Sequence, residues 1–404
     1  MNLQLGDTKS RTPRWFGWIT AAVVVVIIYG SLYPFSFRDK PGSPLADLTA
    51  TFGQPDGRGD ILANILFYFP LGFFAIQMLR RRAAGAVAVV TLAGMVLSTC
   101  MEVLQFYVPG RDQAISDICS NTAGSFVGAV TGTVLFGRSH LGILQPIRKH
   151  PSTVLLLGCW LAYRLYPYVP DIDLHKYWHA VRPLLVSPAL PPLDLARHTV
   201  IWLILSVLVT ELFDTAWRHF AFPVFVVLVL GARIAIHDAI LSPAEVAGAA
   251  IAVLCNFGRL QRRLIQIRVI FGLAVIFVVL EALEPYRFVL PPRPFHWVPF
   301  QGFLHGSLAV NAQVFLEKSF LYGNLVWLAT RAGWPWRFAV PACGALISAL
   351  RLIQVYIPGR SAEISDVVIL CMMSGMIWVL DQEPHDAVRG VTEEDRQPAR
   401  GRHR

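Results

Sequence analysis

The chain has 404 residues, 55% of them hydrophobic and only 15% charged, with a formal net charge of +9. A soluble fold carries about 25% charged residues to wet its surface, so a soluble globular protein is excluded, as are a disordered chain, a collagen-like repeat and a secreted disulfide scaffold. What remains is a polytopic membrane protein, in which excess Lys and Arg marks cytoplasmic loops and no nucleic-acid partner is implied.

A span needs about 20 mostly apolar residues. Twelve such stretches follow in order: 16–36, 60–79, 84–106, 115–136, 152–168, 198–216, 220–237, 242–258, 268–284, 311–330, 337–356 and 363–380. The first follows Arg11 and Arg14 and has no small-residue cleavage site after it, so it reads as an uncleaved helix, not a signal peptide. With the N-terminus inside, 21 of the 35 Lys and Arg fall on cytoplasmic segments, ten on outer ones and four within spans. That asymmetry predicts both termini in the cytoplasm of a bacterial inner-membrane protein. The arginines at 80–82 read as a topology signal and a contact for anionic lipid heads. Residues 381–404 are polar and are expected to form a disordered cytoplasmic tail.

Self-comparison adds an internal repeat. Residues 105–117 read QFYVPGRDQAISD and 354–366 read QVYIPGRSAEISD, eight of thirteen identical at an offset of 249. A second echo closes three spans: SLYPF at 31–35, RLYPY at 164–168 and ALEPY at 282–286. The predicted fold is therefore an all-α membrane bundle of three parallel four-helix segments: 16–140, a degenerate copy at 152–258, and 268–380.

Polar residues in the first segment gather at one depth. Asp60 and Asn64 open its second span, Glu102 and Gln105 close its third, and Asp117 and Asn121 open its fourth. Each pair is spaced to share a helix face. Arg111 sits in the turn forced by Pro109 and Gly110, and Gly72, Gly124 and Gly128 permit close helix approach. Ionisable groups at membrane depth are costly and usually face a cavity or a partner, so the set predicts an outward-facing pocket. Two structural readings stand beside it: Asp117 as a cap on the fourth helix and Glu102 with Arg111 as an ion pair pinning the turn.

The third segment keeps Gln354, Arg360 and Asp366 as second-copy binding candidates. Arg351 stands in place of Glu102, Leu370 in place of Asn121, and Lys318 near the Asn64 position. The middle segment shows only scattered polar residues (Arg197, Glu211, Arg233, His237, Asp238, Glu245) and reads as structural filler. His175 and His179, near Asp171 and Asp173, read as a solvated loop, not a metal site. The six cysteines lie in apolar stretches without CxxC spacing and read as small core residues. No Walker A, GxSxG or Rossmann motif occurs, so no cofactor and no metal are expected.

The pattern Asp60-x3-Asn64, Phe69-Pro70-x-Gly72, Glu102-x2-Gln105, Arg111, Asp117-x3-Asn121-x2-Gly124-x3-Gly128 closely resembles the VanZ-like family over about residues 30–136, and returns in part in the third segment. The resemblance implies an integral membrane protein of the bacterial envelope, the name-giving member being linked to teicoplanin resistance. The motif identifies a site without a reaction.

The expected function is recognition or modification of an anionic lipid-linked or peptidoglycan-related head group at the outer leaflet, with an effect on glycopeptide susceptibility. Arg111 would bind phosphate or carboxylate. Asp60, Asn64, Gln105 and Asn121 would complete the binding set, and Glu102 and Asp117 are candidates for an acid/base pair. Membrane lipids and a lipid-linked cell-wall precursor are the implied partners. A transporter or flippase of an envelope precursor, and a non-enzymatic scaffold, are the alternatives; catalysis against binding, and the oligomeric state, stay open.

Overall fold

A computed structural model describes residues 15–33, 35–53, 58–79, 84–136, 149–168, 174–186, 189–213, 217–236, 240–257, 263–302 and 308–394. Among these the chain is all-helical, apart from an isolated bridge between His296 and Glu363. It divides into two bodies: Met1–Leu144 with Gly306–Ala309, and Gln145–His305 with Val310–Arg404.

The first body holds α1 (Trp15–Leu32), the short α2 (Pro44–Ala50), α3 (Arg58–Met78), α4 (Ala84–Gln105) and α5 (Ile115–Phe136). α3 lies against α1, α4 and α5, and its approach to α5 is the closest. Glycine makes that approach possible: a Cβ on Gly72 would fall 1.9 Å from Ser125 O, and one on Gly128 2.1 Å from Phe69 O. Backbone meets backbone there, and small residues are what permit it in lipid. Ile27, Leu32, Tyr68, Leu71, Met101 and Val108 form one buried cluster, and Ile76, Ala86, Val90 and Ala129 another.

The second body holds α6 (Pro151–Arg164), α7 (Leu174–Val186), α8 (Pro192–Leu212), α9 (Arg218–Ala235), α10 (Pro243–Phe257), α11 (Arg263–Leu283), α12 (Leu308–Arg331), α13 (Trp336–Ile353) and α14 (Ser365–Glu394). One core runs through it, centred on Trp160, whose ring lies 5.4 Å from Trp202 and 6.4 Å from Phe320. The expected middle and third segments thus share a single apolar interior.

Five helical stretches are long and apolar enough to cross a membrane by length and composition: Asp60–Met78, Gly85–Gln105, Pro192–Leu212, Leu264–Leu283 and Trp336–Tyr356. Phe16–Leu32, His219–Ala235 and Pro243–Asn256 are apolar but shorter. Large apolar side chains face outward in mid-helix, among them Val96, Val227, Leu254 and Ile276. Such apolar exposure in a folded chain marks a surface that meets something other than water.

Three local features differ from the sequence expectation. α2 and α7 are helices within stretches read as outer loops. α14 continues to Glu394, past the expected end of the last span at 380; residues 395–404 of the expected tail lie outside the described residues. Of the cysteines, only Cys159 and Cys343 are buried, whereas Cys100, Cys119, Cys255 and Cys371 are exposed on helix faces. The core assignment fails for those four because a lipid-facing position accepts a small, weakly polar side chain as readily as the interior does.

Candidate functional site

At one end of the first body the last turns of α1 and α4 meet the first turns of α3 and α5. Asn64 Nδ2 donates to Asp117 Oδ1 at 2.6 Å, joining α3 to α5. Buried Glu102, in the last turn of α4, accepts the Ala114 N–H on Oε2 at 3.0 Å, and its backbone carbonyl accepts from Gln113 Nε2. Gln105 Nε2 donates to Ser31 O at 3.0 Å, and Arg111 Nη2 donates to Gly30 O at 3.0 Å. The PGR turn is thereby clasped to the end of α1. Burial lowers the Arg111 pKa from its usual value, and the Glu102 carboxylate opposes that shift. Asn121 is buried on α5 and donates to Ser98 Oγ at 2.9 Å. Asp60 is exposed, one turn before Asn64 on α3.

A strap from the end of α1, carrying α2, lies over this end. The Arg38 N–H donates to Tyr107 O at 2.8 Å, Thr51 Oγ1 accepts the Ile115 N–H at 3.2 Å, and Lys40 sits 4.6 Å from the centre of the Phe106 ring.

Tyr68, Ser98 and Gln113 also belong to the cluster, and Ser125 follows one turn beyond Asn121 on α5, where it faces Gly94. Gln113 and Ser125 are buried with an oxygen lacking a hydrogen-bond partner among the described residues, as is Asn121 Oδ1; Tyr68 and the fully buried Ser98 lie close to one another. Tyr68 lies within the electrostatic reach of Glu102 and Asp117 and close to Ser98. Tyr68 is one turn beyond Asn64 and Ser98 one turn before Glu102, so both share a stripe with a motif residue, but neither stands out within its apolar run.

Around the second PGR turn the same kinds of contact recur with different chemistry. Gln354 Nε2 donates to Ala282 O at 2.8 Å and Arg360 Nη2 to Glu281 O at 2.9 Å, the counterparts of Gln105 on Ser31 and Arg111 on Gly30. The Val289 N–H donates to Tyr356 O at 2.8 Å, as Arg38 does to Tyr107. Asp366 is 1% exposed and fully engaged: Lys318 Nζ at 2.7 Å, Tyr322 Oη at 2.5 Å and the Arg351 guanidinium all reach it. Arg351 also bonds Tyr322 Oη at 2.7 Å and pairs with Gln354. Gln354 and Asp366 thus spend polar atoms on this internal network, whereas Arg360 is partly exposed and pairs with the Glu284 carboxylate at 3.2 Å.

The middle segment is less scattered than its sequence suggests. Buried Glu245, in the first turn of α10, pairs with Arg164 at 2.5 Å and with Arg233, and Arg233 Nη2 donates to Ile240 O at 3.1 Å. Arg197 lies 3.4 Å from Glu281 and 3.2 Å from Glu317, and Glu211 is 3.4 Å from His150 and 3.0 Å from Arg331. His237 and Asp238 lie outside the described residues. His175 and His179 lie along α7 with their tilted rings 5.9 Å apart; Asp171 and Asp173 are outside the described residues.

The fold and this cluster define an all-helical protein with membrane-length apolar helices and a buried polar constellation at the helix ends of its first body. Residues 9–136 match the model of the VanZ/LLP1 family, so this part of the chain is VanZ-like, and the match spans the whole cluster from Asp60 to Gly128. No curated protein and no solved structure matches the chain.

Proposed function

We propose that this is a multi-pass protein of the bacterial inner membrane whose VanZ-like body recognises the polar head group of a lipid-linked or peptidoglycan-related envelope molecule at the outer leaflet. In this reading the chain has twelve spans in three parallel four-helix segments with both termini cytoplasmic, and the site belongs to the first segment. One observation carries the proposal: in a lipid-embedded body, the buried oxygens Gln113 Oε1 and Asn121 Oδ1 lack protein partners among the described residues beside Glu102 and Asp117. An unpaired buried polar group costs about 1–3 kcal/mol, and two beside the same carboxylates are accounted for by a ligand that pairs them.

The function is binding. Each carboxylate already holds an N–H donor, from Ala114 and from Asn64, which suits a fixed recognition surface. Arg111, clasped to Gly30 through one Nη, presents its remaining donors to a phosphate or carboxylate. The test is a comparison of envelope lipids, cell-wall precursors and glycopeptide susceptibility in cells carrying wild-type protein, no protein, Asp117→Asn or Asn121→Leu. Loss of the protein is expected to change precursor or lipid composition, with wild type restoring it and the variants failing to. Full restoration by both variants at wild-type membrane levels would overturn the proposal.

A further inference from the structure

In the second body the polar groups run along a helix instead of gathering at its end. α12 is 24 residues long, about 36 Å, and is not among the five membrane-length apolar stretches. Gln313, Glu317, Phe320, Asn324, Trp327 and Arg331 recur on it at alternating steps of four and three, so they share one face along its length. Phe320 is the one hydrocarbon side chain in that stripe.

The stripe faces α6 and α8. Gln313 Nε2 donates to Tyr163 O at 3.2 Å, and Phe320 packs on the Trp160 ring. Glu317 pairs with Arg197 of α8 at 3.2 Å, and Arg331 with Glu211 of α8 at 3.0 Å. The two pairs lie 14 residues apart on both helices, about 21 Å along each axis, so α8 and α12 run parallel and are pinned at both ends. Each end holds further ionisable groups: Glu281 beside Arg197 at one, and His150 beside Glu211 with Asp381 near Arg331 at the other.

Between these ends, Trp160 Nε1, Asn324 Oδ1, Thr153 Oγ1 and Trp327 Nε1 have no hydrogen-bond partner among the described residues, and none of the four side chains' residues is more than 1% exposed. α6 and α12 run antiparallel: Trp160 meets Phe320, and Leu156 meets Gly323, where a Cβ would fall 2.6 Å from Leu156 Cδ2. On that register Thr153 falls level with Trp327. Polar groups therefore follow from Glu317 to the level of Phe320, then Asn324, then Trp327, then Arg331. Each axial step is about 4–6 Å, the reach of one or two waters hydrogen-bonded at about 2.8 Å.

Buried polar atoms without a protein partner are met by water, and the close Leu156–Gly323 contact leaves no room for a larger guest. The groups within the column are neutral: two N–H donors, one acceptor and one hydroxyl that does both. They orient water without trapping charge, whereas a metal ion would need a shell of oxygen ligands. Carboxylates, which take up and release protons, stand at both ends.

We infer that the second body conducts protons along this stripe, through a file of water held between α6, α8 and α12, with Glu281 and Glu317 exchanging protons at one end and Glu211 and Asp381 at the other. This function is separate from head-group recognition by the first body and requires only that α8 and α12 cross the membrane.

The test uses full-length protein in phosphatidylcholine vesicles with pyranine inside, driven by a valinomycin-set potassium potential, negative inside. Wild-type protein is expected to acidify the lumen several-fold faster than protein-free vesicles do. Asn324→Leu and Thr153→Val are each expected to slow that acidification about tenfold, the effect on a barrier of one lost hydrogen bond. Trp327→Phe removes an N–H while keeping an aromatic wall, and keeps the test decisive should either of the others misfold. Radioactive sodium uptake under the same potential is expected to stay at the protein-free level; uptake raised by wild type and lowered by the same variants would overturn the proton assignment. Wild-type acidification no faster than that of protein-free vesicles, or equal rates for wild type and every folded variant, would overturn the inference and leave the head-group reading to the cellular complementation.

Discussion

Asn64 on α3 and Asp117 on α5 are 53 residues apart in the chain and 2.6 Å apart across the helix pair. The bond joins two helices whose backbones nearly touch at Gly124 and Gly128, so its geometry is set by packing, not by side-chain reach. Lys318 and Asp366 span the equivalent helices at 2.7 Å. A long lysine and a short asparagine satisfy the same carboxylate, which shows that the aspartate's place in the scaffold is the fixed element and its partner the variable one.

Asn64→Leu removes that donor and is expected to lower stability by about 1–2 kcal/mol, because Asp117 is only half-buried and part of the loss is screened by solvent. Asn64→Lys is expected to keep wild-type stability, since Lys318 shows that the site geometry accepts an ammonium. Thermal unfolding of purified protein in detergent checks both. A destabilisation by Asn64→Lys as large as that by Asn64→Leu would refute the equivalence of the two positions.

The network around Asp366 makes a different prediction. With Lys318, Arg351 and Tyr322 on one nearly inaccessible carboxylate, Asp366→Leu removes the carboxylate that two cations share in a low-dielectric interior and is expected to cost about 3–5 kcal/mol. Replacing all three charges at once, Lys318→Met with Arg351→Met and Asp366→Leu, is expected to be markedly milder, because no charge is then stranded. Equal loss for the single and triple variants would mean that the network contributes more than mutual neutralisation.

How much of this was legible in the sequence depends on the kind of residue. The helices and the motif polar residues were readable from apolar run length and from i,i+3 and i,i+4 spacing, and Asn64, Glu102, Gln105, Arg111, Asp117 and Asn121 do meet at one end of the first body. The carbonyl partners on α1, Gly30 and Ser31, were not, because a backbone acceptor leaves no mark on residue type. Tyr68, Ser98 and Ser125 are unremarkable in apolar runs and become informative only when three helices bring them together. The Arg164–Glu245–Arg233 set was missed for a related reason: its members lie on three helices far apart in sequence, and the middle segment lacks the PGR turn that aligned the other two.

The α3–α5 approach yields a contrast between glycines. Gly128→Ala would drive a Cβ to 2.1 Å from Phe69 O, and only backbone separation could relieve it, so a loss of about 2–4 kcal/mol is expected. Gly158, in α6, has open space where a Cβ would project, and Gly158→Ala is expected to be neutral or stabilising by up to about 1 kcal/mol. Both follow from unfolding midpoints measured side by side. A neutral Gly128→Ala would mean that α3 and α5 do not pack backbone to backbone.

The side of the membrane on which the polar cluster lies can be decided by thiol labelling. Asp112, in the PGR turn, and Leu290, in the strap after α11, are exposed beside the clasped turns, whereas Trp334 is exposed where α12 gives way to α13, at the other end of α12 from Lys318. If each segment has four spans, as proposed, the two PGR turns share a side, and the excess of Lys and Arg elsewhere would assign that side to the outside. With the six native cysteines replaced by alanine, Asp112→Cys and Leu290→Cys are therefore expected to react with a membrane-impermeant maleimide in intact spheroplasts, and Trp334→Cys only after permeabilisation. If Asp112→Cys and Leu290→Cys label on opposite sides, the parallel-segment arrangement fails. If all three label in the reverse sense, the arrangement survives but the cluster faces the cytoplasm, and its ligand must be sought in the inner leaflet.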